Sequence, residues 1–391
     1  MKLPFVDRVF LVVLDGVGIG AAPDAAEYGD AAANTLRHVI ENSPSLTLPA
    51  LAGLGLGHIA PLPRVPPVTQ PLAAFGSMEA ASAGKDTVIG HWELAGVVTH
   101  EPFAVFPAGF PSRIITAFRR ATGLSPLGNI AASGTEVIRL LGEEHLRSGR
   151  PILYTSADSV FQLAAHETII PPPRLYRLCR CARKILDSYR VARVIARPFI
   201  GTSPADFRRT SGRRDFAMAP PEPTILDRVA AQGLPVWAIG KIHDIFVGGG
   251  ISRSFVTLNN GDGMAKIDGA LGSLDKGLVV ANLVDFDTSF GHRRDVPGFA
   301  RALAEFDTWL EGFLPRLRPT DLLILCADHG CDPAMAGSDH TREAVPLLVY
   351  CPALPGGKNL GRGRTFAAVA ELIGEVFGCR PSFLQAKTKG A

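Results

Sequence analysis

An α/β protein built on a mostly parallel sheet, with a second and smaller α/β unit inserted into it, is the fold class this sequence predicts. Three observations carry the expectation. Short apolar runs rich in β-branched residues recur towards both ends of the chain, helix-like stretches lie between them, and a proline-rich, arginine-dense middle interrupts the pattern. Unbroken apolar runs mark strands buried on both faces, and strands alternating with helices place helices on both sides of the sheet.

The first run, Arg8–Leu14 (RVFLVVL), predicts a central strand. The same character returns at Gly233–Ile239 (GLPVWAI), Gly277–Leu283 (GLVVANL), Asp321–Ala327 (DLLILCA) and Ala344–Tyr350 (AVPLLVY). Between the last of these strands, Gly298–Phe313 carries Phe299, Leu303, Phe306, Trp309 and Leu310 at three-to-four spacing, the stripe of an amphipathic helix. From about Glu101 to Pro223 prolines multiply, with runs at 171–173 and 220–223, and arginine is dense between Arg174 and Arg214. The second proline run reads as a linker returning the chain to the first unit. The expected division is therefore a core from 1–100 and 221–391 and an inserted unit over 101–220.

The 391 residues suit two domains, and 47% hydrophobic with 20% charged residues is ordinary for a globular protein. A net charge of +3 gives no strong field, so neither nucleic acid nor an anionic membrane is expected as a partner. No apolar run approaches the roughly 18 residues of a membrane span, and Met1-Lys-Leu-Pro lacks signal-peptide character, so a cytoplasmic location is expected. Six irregularly spaced cysteines without a C-x-x-C pair fit incidental thiols in a reducing compartment.

The chemistry-bearing residues cluster at strand ends. Asp15 ends the first run. Asp287 and His292 follow Gly277–Leu283, Asp328 and His329 follow Asp321–Ala327, and His340 precedes Ala344–Tyr350. Carboxyl ends of strands in an open α/β sheet form the ligand crevice, so these segments can meet. Three carboxylates and three imidazoles can hold two divalent cations about 4 Å apart with open positions, and imidazole suits Mn, Zn or Fe. Any single Asp-His pair has a plainer reading as a helix cap beside a surface histidine. The coincidence of four such places at strand ends favours the metal site. Thr87, in GKDTVIGHWE, has small neighbours at an expected helix start, where it either caps the helix or serves as a nucleophile. Gly16-Val-Gly18-Ile-Gly20-Ala21 matches a dinucleotide-binding pattern, but Asp15 would face the pyrophosphate and no acidic residue ends a second strand at the needed distance.

Beyond these readings, the motifs LDGVGIGxxPD, GKDTxxGHWE, YTSADSVFQ, ARPFIG, GKIxDIF, NLVDFDxxxGHR, ADHGxDP and SDHTRE, in order from Val12 to about Val349, closely resemble the phosphopentomutases of the alkaline phosphatase superfamily. The related cofactor-independent phosphoglycerate mutases use Ser where Thr87 stands. The resemblance implies an alkaline-phosphatase-like core whose mostly parallel sheet is sandwiched by helices, with the inserted unit as a substrate cap. It implies one Mn²⁺ on Asp15, Asp328 and His329 and a second on Asp287, His292 and His340. Thr87 would carry a phosphoryl group, hand it to ribose or 2-deoxyribose phosphate, and recover the other phosphate, interconverting the 1- and 5-phosphates. Glucose 1,6-bisphosphate or a pentose 1,5-bisphosphate would prime it. Ser156, Asp158, Arg197, Arg213 and Lys241 would contact these small sugar phosphates. In Gly201–Asp215 the chain departs from the family pattern, so either Arg213 or Arg214 would make the phosphate contact. A bimetal phosphatase or phosphodiesterase would keep the metals but not the cap residues, and a silent metal-binding scaffold would not need Thr87.

Overall fold

The computed structural model describes residues 4–156 and 159–379, which separate into two compact units, 4–101 with 220–379 and 102–219. The larger unit holds an eight-stranded sheet. Its order is Arg253–Phe255, Val236–Ile239, Gly277–Leu283, Arg8–Leu14, Asp321–Cys326, Val345–Tyr350, Ala74–Met78 and Asn359–Gly363. Every pair as far as Asp321–Cys326 is parallel; Val345–Tyr350 runs against both its neighbours, and Asn359–Gly363 is again parallel to Ala74–Met78. Only Val345–Tyr350 is thus reversed. The apolar runs are buried along their whole length in Arg8–Leu14, Gly277–Leu283 and Asp321–Cys326, as strands covered on both faces must be.

The expected strands form with small shifts of boundary. The run from Gly233 becomes a strand only at Val236, after Pro235, whose missing N–H cannot join a ladder. The expected helix extends one turn-start earlier, to Val296, where Asp295 caps it and Pro297 occupies its first turn. Three strands of this sheet, Arg253–Phe255 (RSF), Ala74–Met78 (AFGSM) and Asn359–Gly363 (NLGRG), carry no apolar run that the sequence would mark as a strand.

A charge pair lies inside the sheet. Arg8 is 1% exposed and opposite Asp321 in register; it donates to both carboxylate oxygens at 2.7 and 2.6 Å and to the carbonyls of Leu271 and Leu274. Removing one partner strands the other's charge, at a cost of about 3–5 kcal/mol, whereas an apolar pair of similar volume is close to neutral. Arg8→Ala should lower the unfolding free energy by that amount. The Arg8→Met, Asp321→Leu double variant should recover most of it, as read by urea denaturation.

The smaller unit, 102–219, has a six-stranded mixed sheet in the order Leu127–Ala131, Ile152–Thr155, Val160–His166, Arg193–Ile200, Arg208–Arg209, with Arg214–Ala217 also on Arg193–Ile200. Alternate residues face opposite sides. Leu153, Phe161 and Leu163 join helices Ser112–Thr122 and Pro172–Leu186 in one core, while Ile152, Tyr154 and Ala164 join Gly134–Ser148 in another. The chain's modest net charge conceals an uneven distribution: this unit has 18 Lys and Arg against 8 Asp and Glu.

Candidate metal centre

The reversed strand explains how the expected ligands meet. In a sheet whose other strands run one way, the start of Val345–Tyr350 lies at the same edge as the ends of the rest. Asp15 therefore leaves Arg8–Leu14, Asp287 and His292 follow Gly277–Leu283, Asp328 and His329 follow Asp321–Cys326, and His340 approaches Val345, all at one edge. Thr87 reaches the same place through the segment that follows Ala74–Met78.

Three groups result, each with ligand atoms within 4.8 Å of one another: Asp15, Asp328 and His329; Asp287, His329 and His340; and Asp287, His292 and Cys331. His329 Nε2 is 3.3 Å from Asp15 Oδ1 and 3.2 Å from Asp328 Oδ2. His292 Nε2 and His340 Nε2 each stand 3.2 Å from the same Asp287 Oδ1. The rings of His329 and His340 lie 4.0 Å apart, and those of His340 and His292 4.7 Å. All six expected ligands are thus brought together.

The group fits divalent cations on its own chemistry. Asp15 Oδ1, Asp287 Oδ1, Asp328 Oδ2 and His340 Nε2 are buried without a hydrogen-bond partner. Each lies close to a histidine or carboxylate atom of the same groups. Buried orphan acceptors are costly unless an ion satisfies them. The outer atoms are fixed: His292 Nδ1 lies 2.7 Å from the Ser338 carbonyl, and His329 Nδ1 3.0 Å from that of Gly330. Electrostatics point the same way. Burial alone would raise the Asp328 carboxyl, yet His329 and His91 hold it well below the carboxylate range. Burial is likewise overcome at Asp287 by His340, His329 and His292. Burial would depress His329, but Asp328 and Asp15 raise it well above an ordinary imidazole. The pocket favours positive charge.

Thr87 is the first residue of the helix Thr87–Leu94, and the cap is Asp86, whose carboxylate accepts from the amides of Val88 and Ile89. The threonine hydroxyl is therefore not used as a cap. Half-buried, it stands 3.0 Å from His329 Nε2. The approach needs Gly90, since a side chain there would overlap the carbonyl of Asp328. The preceding segment is pinned by Glu93, which accepts from the amides of Ala81, Ser82 and Phe366, and by Arg342, which donates to the carbonyls of Ala80, Ser82 and Gly84.

Several residues at the site were not singled out from the sequence. Cys331 packs beside Asp287 and His292, its thiol pushed up by burial and the nearby carboxylates. Glu343, fully buried, accepts from Gly20 N, Thr35 N, Thr35 Oγ1 and Thr341 Oγ1. The glycine run after Asp15 has a packing reason: a Cβ at Gly18 would strike Glu343, and one at Gly16, whose φ is 79°, would strike Cys331. His91, Asn282, Glu93, Arg342 and Glu343 all lie inside the motifs quoted above, which was the available signal.

The expected substrate contacts divide between the units. Lys241 belongs to the larger one, with Nζ 3.9 Å from Asp15 Oδ2. Ser156, Arg197 and Arg213 belong to the smaller one, and Asp158 lies outside the described residues. Arg197 donates to Gln162 Oε1 at 3.1 Å, and partial burial, with Arg213 and Arg209 nearby, holds its pKa below the usual guanidinium value. Arg213 pairs with both oxygens of Asp215 at 2.8 and 2.7 Å. Burial raises the Tyr154 hydroxyl above its ordinary value against the opposing charges of Arg197, Arg209 and Arg213, whereas Arg214 lies over the rings of Tyr176 and Phe216. Arg213 is therefore the one that joins the basic cluster, and Arg209 is a third member that the sequence did not single out.

Residues 7–381 match the family model described as the metalloenzyme superfamily. The chain is 57% identical over 370 residues to a phosphopentomutase of Syntrophotalea carbinolica, covering 95% of this chain and 94% of that one. It is 52% identical over 375 residues to a phosphopentomutase of Caldanaerobacter subterraneus subsp. tengcongensis, covering 96% and 95%. A solved phosphoglycerate mutase of Leishmania mexicana, at low cobalt concentration, shares the fold with a TM-score of 0.51 at 14% identity, over 97% of this chain and 96% of that one. The chain belongs to the phosphopentomutase family of the metalloenzyme superfamily and is an enzyme. No helix among the described residues is long and apolar enough to cross a membrane.

Proposed function

We propose that this member of the phosphopentomutase family interconverts ribose 1-phosphate and ribose 5-phosphate, with the 2-deoxyribose pair, through a phosphothreonine on Thr87. The observation that carries the reading is the uncapped Thr87 hydroxyl, 3.0 Å from His329 Nε2 beside six convergent Asp and His side chains. Asp15, Asp328 and His329 would hold one divalent ion, and Asp287, His292 and His340 a second, with Mn²⁺ suited to this mixture of oxygen and imidazole. Bound there, two cations supply charge stabilisation to the oxygens of a phosphoryl group in transfer.

The chain's own residues do the rest. The free hydroxyl of the sugar phosphate gives up its proton as it attacks phosphorus of phospho-Thr87; the P–Oγ bond breaks, Thr87 Oγ takes up a proton and a bisphosphate forms. After the sugar turns, Thr87 Oγ gives up that proton and attacks the other phosphate, whose ester oxygen leaves with the sugar and takes up a proton. No net phosphate is gained or lost. Asp86, by taking the capping role, leaves Thr87 free for each transfer. Arg197 and Arg213, with Arg209, bind the phosphate that is not moving, since planar guanidinium groups match phosphate oxygens. Ser156, Asp158 and Lys241 contact the sugar phosphate. A chain whose Thr87 is unphosphorylated needs a first phosphoryl group, which glucose 1,6-bisphosphate or a pentose 1,5-bisphosphate supplies. A cytoplasmic location completes the proposal.

The test is conversion of ribose 1-phosphate by the purified enzyme with Mn²⁺ and catalytic glucose 1,6-bisphosphate, with free phosphate monitored. Isomer without phosphate release is expected. Phosphate release without isomer would mean a hydrolase.

A further inference from the structure

A buried polar chain links the candidate ligands to the helix that carries Thr87. Asn282, 1% exposed at the end of Gly277–Leu283, places Nδ2 2.9 Å from Asp15 Oδ2 and 3.2 Å from His91 Nε2. His91, 2% exposed and one turn beyond Thr87, places Nδ1 2.9 Å from the Thr87 carbonyl and 3.0 Å from Asp328 Oδ2. Donor and acceptor chemistry fixes the orientation. The Asp15 carboxylate can only accept, so the amide nitrogen of Asn282, not its oxygen, must face it. The second amide hydrogen then points to His91 Nε2, which accepts it. The ring proton is left on Nδ1, which donates to the Thr87 carbonyl and lies beside Asp328.

We propose that Asn282 and His91 are a positioning pair: Asn282 orients Asp15 as a ligand, and His91, held by Asn282 and packed against Asp328, fixes the first turn of the nucleophile's helix, so that one buried network sets both. This rests on the reading of Asp15, Asp328 and His329 as a metal site. Partners behind metal ligands hold the ligand's orientation, and losing one costs about 10–100-fold in metal affinity. The effect is one-sided. Asp287, His292 and His340 receive their support elsewhere, His292 from the Ser338 carbonyl.

The experiment titrates metal-stripped enzyme with Mn²⁺ by calorimetry, for the wild type, Asn282→Leu, His91→Ala, His91→Gln and the Asn282→Leu, His91→Ala double variant. Unfolding midpoints are measured without metal. Asn282→Leu keeps the branched shape and the number of side-chain heavy atoms but removes both donated hydrogens. One Mn²⁺ step should weaken about 10–100-fold in Asn282→Leu while the other is unchanged. The double variant should be little worse than either single one, since both break the same chain. His91→Gln, which keeps a donor, should lose less than His91→Ala. Two unaltered steps in Asn282→Leu would overturn the pair. So would two steps weakened alike alongside a lowered metal-free midpoint, because that is loss of fold. Wild-type enzyme that binds no Mn²⁺ would instead sink the underlying metal reading.

Discussion

Thr87→Ala should abolish interconversion, with kcat falling by about 10³-fold or more, while leaving metal binding and folding intact. A group that forms a covalent intermediate has no substitute within the site, and loss of comparable nucleophiles costs several powers of ten. The structural cost should be small, because the helix start is held by other atoms. Asp86 accepts from Val88 and Ile89, Glu93 holds the amides of Ala81 and Ser82, and Arg342 gathers the carbonyls of the same segment. Among the described residues, the side-chain hydrogen bond lost is that between Oγ1 and His329 Nε2. Thr87→Ser keeps the hydroxyl and should keep a substantial part of the rate. Mass spectrometry after incubation with glucose 1,6-bisphosphate should find the phosphoryl group on Thr87 in the wild type and none in the alanine variant. A Thr87→Ala enzyme that still isomerised at a tenth of the normal rate would exclude the phosphothreonine route.

What could be read in the sequence, and what could not, follows from how each feature writes itself into the chain. Arg8–Leu14, Gly277–Leu283 and Asp321–Cys326 are covered on both faces, so burial demands apolar residues at every position and the runs are unmistakable. Ala74–Met78 and Asn359–Gly363 include glycines and polar residues because they lie at and next to the sheet edge, and nothing in their composition separates them from loops. The six acidic and imidazole side chains were legible because each stands next to a readable strand. The direction of Val345–Tyr350 was not legible, yet that one reversal brings His340 to the edge where the others end. The supporting shell was hidden for a different reason. An Asn in a strand, or a His one turn into a helix, has the same local signature whether it faces solvent or orients a carboxylate. Only the packing of strands distant in sequence puts Asn282 against Asp15 and His91. The basic cluster shows the same limit: Arg209, Arg213 and Arg214 are near neighbours in sequence, and only the sheet of the smaller unit sends Arg214 towards Tyr176 and the others towards Tyr154.

Asp328→Asn should have the second large effect, and of a different kind from loss of the nucleophile. Asp328 is buried where Oδ1 receives the Gly16 amide at 3.2 Å and Oδ2 stands 3.2 Å from His329 Nε2 and 3.0 Å from His91 Nδ1. Asparagine occupies the same volume, so Gly90 can still pass its carbonyl and the nucleophile helix stays in place. The charge is gone, however. Breaking one buried charge partnership costs about 3–5 kcal/mol, which is about 10²- to 10⁴-fold in affinity for the cation that Asp15, Asp328 and His329 would share. Activity at limiting Mn²⁺ should fall by a similar factor and recover in part at high Mn²⁺, which no concentration of metal can do for Thr87→Ala. Chelation of the wild type should reproduce the loss, reversed by adding Mn²⁺ back. Thermal unfolding gives an independent reading, since an ion that binds only the folded chain raises the midpoint according to its affinity. The Mn²⁺-induced rise should be smaller in Asp328→Asn than in the wild type, whatever the metal-free stability of the two. It should also be smaller than in Asn282→Leu, because a group in direct contact with the ion matters more than one that holds a ligand from behind. A variant that binds Mn²⁺ with unaltered affinity would place the ions elsewhere and remove Asp328 from the centre.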